Sequence, residues 1–182
     1  MKAKPQPTLV ILAAALGWNL IEKHKPKTKI PFRPIAPAPL SLTCPAQATL
    51  RTALPPSRHG IVASGWFHRD LARPHFWEQS AALVHGRRIW ENARTVGHTV
   101  GMAFWQQSLG ESVDLVISPK PIHKHHGGIV MDCYTRPEPL YADLCRDLGR
   151  RFDLYHYWGP IARAKVGRWI SEATLRILSR PD

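Results

Sequence analysis

VDLVISPKPIHKHHGGIVMDCYTRPEPLYADLCRDLGR, residues 113–150, sets out two strands and then a helix, and this order decides the fold class. Val113–Ile117 is a short apolar run closed by Pro119 and Pro121, which reads as a buried strand. A histidine- and glycine-rich segment, IHKHHGG at 122–128, leads into a second strand over Ile129–Tyr134. Leu140–Leu148 then reads as a helix with Gly149 just past its end, where glycine readily takes the left-handed turn.

Downstream, FDLYHYW at 152–158 is rich in aromatic residues and predicts a third strand. Ile161, Val166, Trp169, Ile170, Thr174 and Ile177 predict a final helix over 161–178 with arginines and a lysine on its outer face. Upstream, a short helix is expected over His75–His85, ending near Gly86. A longer amphipathic helix is expected over Arg88–Leu109, from the spacing of Ile89, Ala93, Val96, Val100 and Phe104. Gly97 and Gly101 lie on it as a GxxxG pair suited to close helix packing. Helices and strands mix without strict βαβ alternation, so the expected class is α+β.

Eight prolines between residues 26 and 56 fix φ and remove amide donors, so 26–57 is expected to be an extended linker ahead of a body at 58–182. Before it, residues 1–25 form a lysine-rich head. There TLVILAAALGWNLI, residues 8–21, predicts a short apolar helix. It resembles the start of a signal peptide or anchor, but the segment EKHKPKTK behind it opposes export. Membrane association or export and a cytoplasmic location both stay open.

Lysine and arginine number 25 against 13 aspartate and glutamate, a formal charge of +12. That surplus points to an anionic polymer as partner, either cell wall or nucleic acid. Residues 1–57 offer a second contact, to a membrane or protein partner. Hydrophobic residues make up 44% of the chain, which excludes wholesale disorder. Three cysteines form neither a disulfide framework nor a CxxC pair. Neither GxxxxGK[ST] nor GxGxxG occurs, so a nucleotide-dependent enzyme is not expected, and no GxSxG elbow is present.

Ligand-type residues gather in one region. A catalytic zinc takes three side chains and keeps an open position for water, with a carboxylate nearby to receive the proton. His125, Asp132 and His156 have suitable chemistry for the ligands, and Asp153 for the base. On a regular strand Asp153 and His156 would face opposite ways, so this arrangement requires a turn at Leu154–Tyr155.

The pattern His123-x-His125-x-x-Gly128-x-Val130-x-Asp132, followed by Asp153-x-x-His156-Tyr157, resembles the zinc D-alanyl-D-alanine carboxypeptidase and endolysin L-alanyl-D-glutamate endopeptidase family. The resemblance covers residues 113–158. It implies a zinc-dependent peptidase acting on peptidoglycan peptides. Zinc would be held by His125, Asp132 and His156, water would be activated by Asp153, and substrate would be contacted by Arg151 and His123.

Other readings stand beside this one. The histidine loop fits a solvated turn, His156 a packed core histidine, and Asp132 and Asp153 surface ion pairs. A non-enzymatic, membrane-associated or assembly protein would use residues 1–57 as a partner-binding arm. A nucleic-acid-binding protein would use the arginines and rings of WFHRDLAR (66–73) and of residues 163–169.

Overall fold

In the computed structural model, residues 7–36, 41–123, 125–126, 128–158 and 161–180 are described, with side chains at 121–123, 129 and 130 excepted. The chain divides into two units, residues 1–39 and 40–182. The first holds one helix, α1 (Trp18–His24), behind a non-helical apolar stretch. The expected helix over 8–21 is thus displaced toward the lysines. Among the described residues no helix is long and apolar enough to cross a membrane.

The second unit runs α2 (Thr43–Thr52), α3 (Pro56–His59), β1 (Gly65–His68), β2 (Arg73–Phe76), a 3₁₀ turn at Ala81–Leu83 and α4 (Glu91–Thr95). It continues with β3 (Gly101–Ala103), β4 (Leu115–His123), β5 (Ile129–Arg136), α5 (Leu140–Leu148), α6 (Leu154–Trp158) and α7 (Ala164–Leu178). The chain is α+β: β1 and β2 form one antiparallel ribbon, and a second sheet has the order β3-β4-β5. In that sheet β3 runs parallel to β4, and β4 runs antiparallel to β5.

β4 continues through the two prolines that were expected to close it. The main-chain oxygen of Ile117 accepts from Phe104 N (2.7 Å), so odd-numbered residues of β4 turn their backbone toward β3. The ladder with β3 ends at Ile117, so Pro119 and Pro121 direct their missing donors to an open edge, where no bond is lost.

α5 and α7 occupy the positions their spacing implies. Leu140 and Leu144 of α5, with Val166, Trp169 and Ala173 of α7, pack on Phe104, Ile117, Phe152 and Leu154 in the principal core. A second cluster joins Cys44, Ala48, Ile61 and Val84, and a third joins Met102, Val113 and Val116.

Four local expectations are corrected. Residues 43–52, placed in the linker, form a helix that buries Cys44 and Ala48. Pro45 and Pro56 lie in first turns of α2 and α3, where a missing amide leaves no helical bond unmade. The helix expected over 75–85 is replaced by β2 and the 3₁₀ turn. Trp66 and His75 pair across the ribbon with rings 6.3 Å apart, and a Cβ on Gly65 would come within 2.5 Å of the Phe76 ring. The helix expected over 88–109 stops at Thr95 and turns at Gly97 (φ 89°). Asp114 then accepts from Val100 N (2.8 Å) and from Arg94 (2.7 Å), which fastens the following segment to β4. FDLYHYW is helical from Leu154 onward, for a reason that belongs to the site described below.

His59 is fully buried, with its Nε2 3.0 Å from Thr49 Oγ1 and its Nδ1 accepting from Ile61 N at 3.1 Å. Nδ1 therefore carries no proton and the ring is neutral. Burial, and then the charge of Arg51, hold its pKa below the ordinary 6.5. The unfolded chain takes up the proton more readily, so this contribution to stability is complete above about pH 6.5 and is lost as pH falls toward the lowered native value. Urea unfolding at pH 7.5 and pH 5 is expected to show a smaller acid loss in His59→Gln than in wild type.

Candidate active site

α6 begins where Asp153 caps it. Asp153 Oδ1 accepts from His156 N (3.2 Å), the reach of an N-cap side chain to the third helical residue. That cap turns the aromatic segment from strand to helix and supplies the turn at Leu154–Tyr155 that the pair required. Phe152 and Leu154 are buried on either side of Asp153, while His156 is half-buried.

The same turn brings the two side chains together. His156 Nδ1 lies 2.7 Å from Asp153 Oδ2, and Lys165 Nζ, from the first turn of α7, lies 2.6 Å from that oxygen. The bond from Lys165, followed by those from the backbone and ring of His156, holds the Asp153 carboxyl down at about 2. It is ionised throughout the neutral range, so His156 Nδ1 donates to it and a neutral ring keeps its lone pair on Nε2. Tyr155 stands edge-on to the imidazole with centroids 5.2 Å apart.

A carboxylate this acidic is a poor proton acceptor, whereas an imidazole oriented by a fixed carboxylate is a good one. Lys165→Ala is expected to raise the Asp153 pKa from about 2 toward the ordinary carboxylate range, read by carboxyl-carbon NMR titration.

The other expected site residues are placed differently. His125 is exposed in the turn after β4. Asp132, opposite Lys120 in the sheet, accepts from the adjacent Cys133 N (2.8 Å). Arg151 is exposed before Phe152, and the side chain of His123, at the end of β4, lies outside the described residues. Burial pushes the Cys133 thiol up, so it is no ready nucleophile. Among the described residues no group of three or more histidines, cysteines or acids is placed to hold a metal ion. Asp153 and His156 come together as expected. Lys165, which joins this pair, was not singled out in the sequence, where its only signal was its place at the start of the final helix.

An open cleft of about 540 Å³ beside α4 is lined by Arg87, Arg94, His98, Thr99, Glu91 and Asp114. Its arginines are engaged, Arg87 by Glu91 (3.0 Å) and Arg94 by Asp114 (2.7 Å), so it offers no surplus of fixed charge to an anion.

Over residues 8–182 the sequence matches the type I phosphodiesterase / nucleotide pyrophosphatase family, and the chain belongs to it. No curated protein matches the chain. The match overturns the resemblance to zinc D-alanyl-D-alanine peptidases and, with it, peptidoglycan as substrate. That pattern rested on spacings within 113–158 in a chain of ten histidines, whereas the family match extends over nearly the whole length. It gives no support to the assembly-protein or nucleic-acid-binding readings either. Nor does the absence of two familiar phosphate-cradling motifs exclude nucleotide chemistry. Members of the family commonly depend on a metal, often zinc. The described side chains do not assemble such a site.

Proposed function

We propose that the chain hydrolyses phosphodiester or pyrophosphate bonds of nucleotide-like substrates, with His156 as the proton carrier. The family match over residues 8–182 carries this reading, because the family's description names this bond class. His156 Nε2 takes a proton from water as the water oxygen forms its bond to phosphorus. The ester or anhydride oxygen leaves with the other electron pair and is protonated by the imidazolium or by solvent. Asp153, ionised and 2.7 Å from Nδ1, holds the ring in the required tautomer and stabilises the imidazolium. Lys165 uses one of its three N–H donors on Asp153 and keeps two for a phosphoryl oxygen. The formal charge of +12 favours encounter with an anionic substrate.

The test is turnover of the p-nitrophenyl ester of a nucleoside 5′-monophosphate by the purified full chain, assayed with and without added zinc or magnesium. Release of p-nitrophenol together with the nucleoside monophosphate is expected in at least one condition. No release above the blank in every condition overturns the assignment.

A further inference from the structure

The cluster of Asp153, His156 and Lys165 has no positive charge to spare. Asp153 is ionised and has Lys165 Nζ 2.6 Å from its Oδ2, so carboxylate and ammonium cancel. The ring of His156 is neutral when it accepts a proton. A phosphodiester brings one negative charge and a pyrophosphate diester brings two. Lys165 has N–H donors left for a phosphoryl oxygen, but its charge is already offset. The substrate therefore needs a further cation, and two phosphoryl groups need it more than one.

The chain returns to His156 where α7 begins. Arg163 N donates to the main-chain oxygen of His156 (3.4 Å), which ties the residue ahead of α7 to the middle of α6. Arg163 is extended there (φ −128°, ψ 135°) and stands two residues before Lys165. Its side chain is exposed and has no hydrogen bond or ion pair among the described residues. Arg150 and Arg180, by contrast, are engaged by Glu172 and Asp143. Among the exposed arginines left without an acidic partner, Arg163 is the one that a hydrogen bond ties to His156. A guanidinium offers phosphate oxygens a planar fork of donors together with a permanent charge.

We propose that Arg163 binds the second phosphoryl group of a pyrophosphate diester whose first is attacked beside His156. Pyrophosphate-linked nucleotides are then favoured over simple phosphodiesters. This inference rests on the hydrolase reading above and narrows its substrate class.

The test has two parts, both on the full chain at fixed ionic strength. In turnover, Arg163→Met should raise KM for a dinucleoside pyrophosphate by about 10–100-fold, the range for loss of a charged hydrogen bond, with kcat little changed. KM for the p-nitrophenyl ester of a nucleoside 5′-monophosphate, which has a single phosphoryl group, should rise far less. Arg176→Met removes the same charge from the last turn of α7 and should leave both substrates as in wild type. In binding, phosphorus-31 NMR follows titration with methylenediphosphonate, whose C–P bonds resist hydrolysis. Binding should saturate and should weaken in Arg163→Met by a similar factor. An unchanged KM, an equal rise for both substrates, or diphosphonate binding that is absent or indifferent to Arg163→Met would overturn the proposal. Diphosphonate binding that depends on Arg163 in a chain without turnover would overturn the hydrolase reading and uphold the arginine as a diphosphate ligand.

Discussion

His156→Gln is expected to slow hydrolysis of a phosphodiester by about 10²–10⁴-fold, the range for loss of a positioned acid–base group. Glutamine retains a polar side chain that can still donate to Asp153, but it cannot carry a proton near neutral pH. The half-buried ring makes its main polar contact with Asp153 at 2.7 Å, so stability should stay within about 0.5 kcal/mol of wild type. Parallel turnover and urea-unfolding measurements separate the two effects. A variant that keeps wild-type turnover would remove His156 from the chemistry. One that loses activity only in proportion to lost folded protein would leave it a packing residue.

Trp169→Ala is expected to cost about 3–5 kcal/mol, a large share of the ~5–15 kcal/mol that holds a domain of this kind. Trp169 is 2% exposed and has the ring of Phe152 at 5.2 Å, that of Phe104 at 6.0 Å and that of Tyr141 at 6.2 Å. Its Nε1 donates to the main-chain oxygen of Arg150 at 3.0 Å. Truncation therefore opens a cavity where α5, α7 and the Phe152 segment meet, and leaves a carbonyl without its donor. The same packing sets the start of α7, where Lys165 meets Asp153, so turnover should fall along with stability. Denaturant midpoints give the first quantity. Trp169→Phe, which refills part of the volume without the indole donor, should recover much of the loss.

What could be read from sequence followed from how local the determinants were. α5 and α7 were legible because Leu140 and Leu144, and Val166, Trp169 and Ala173, repeat at three- and four-residue steps and face one core. The hairpin of β4 and β5 was legible from its apolar runs, although its length was not. The parity of Pro119 and Pro121 relative to β3 depends on a partner strand distant in sequence. α6 was misread because aromatic content outweighed a single capping aspartate, and that cap also builds the Asp153–His156 pair. Proline count concealed α2, whose prolines occupy permissive first-turn positions. Of the expected site residues, the contact between Asp153 and His156 was legible from their three-residue separation. Lys165 comes from another helix, and no short motif announces it. The family has no short motif to announce it, because its likeness extends over residues 8–182, whereas the histidine pattern is confined to 113–158.

Phosphorus-31 NMR of a dinucleoside pyrophosphate incubated with the full chain in ¹⁸O-labelled water follows the bond in question directly. The pyrophosphate resonance should give way to nucleoside monophosphate with ¹⁸O in its phosphoryl group, rapidly with wild type and about 10²–10⁴-fold more slowly with His156→Gln. A pyrophosphate signal that persists unchanged beside folded wild-type protein, with and without added divalent metal, would contradict the assignment of this chain as a phosphodiester and pyrophosphate hydrolase.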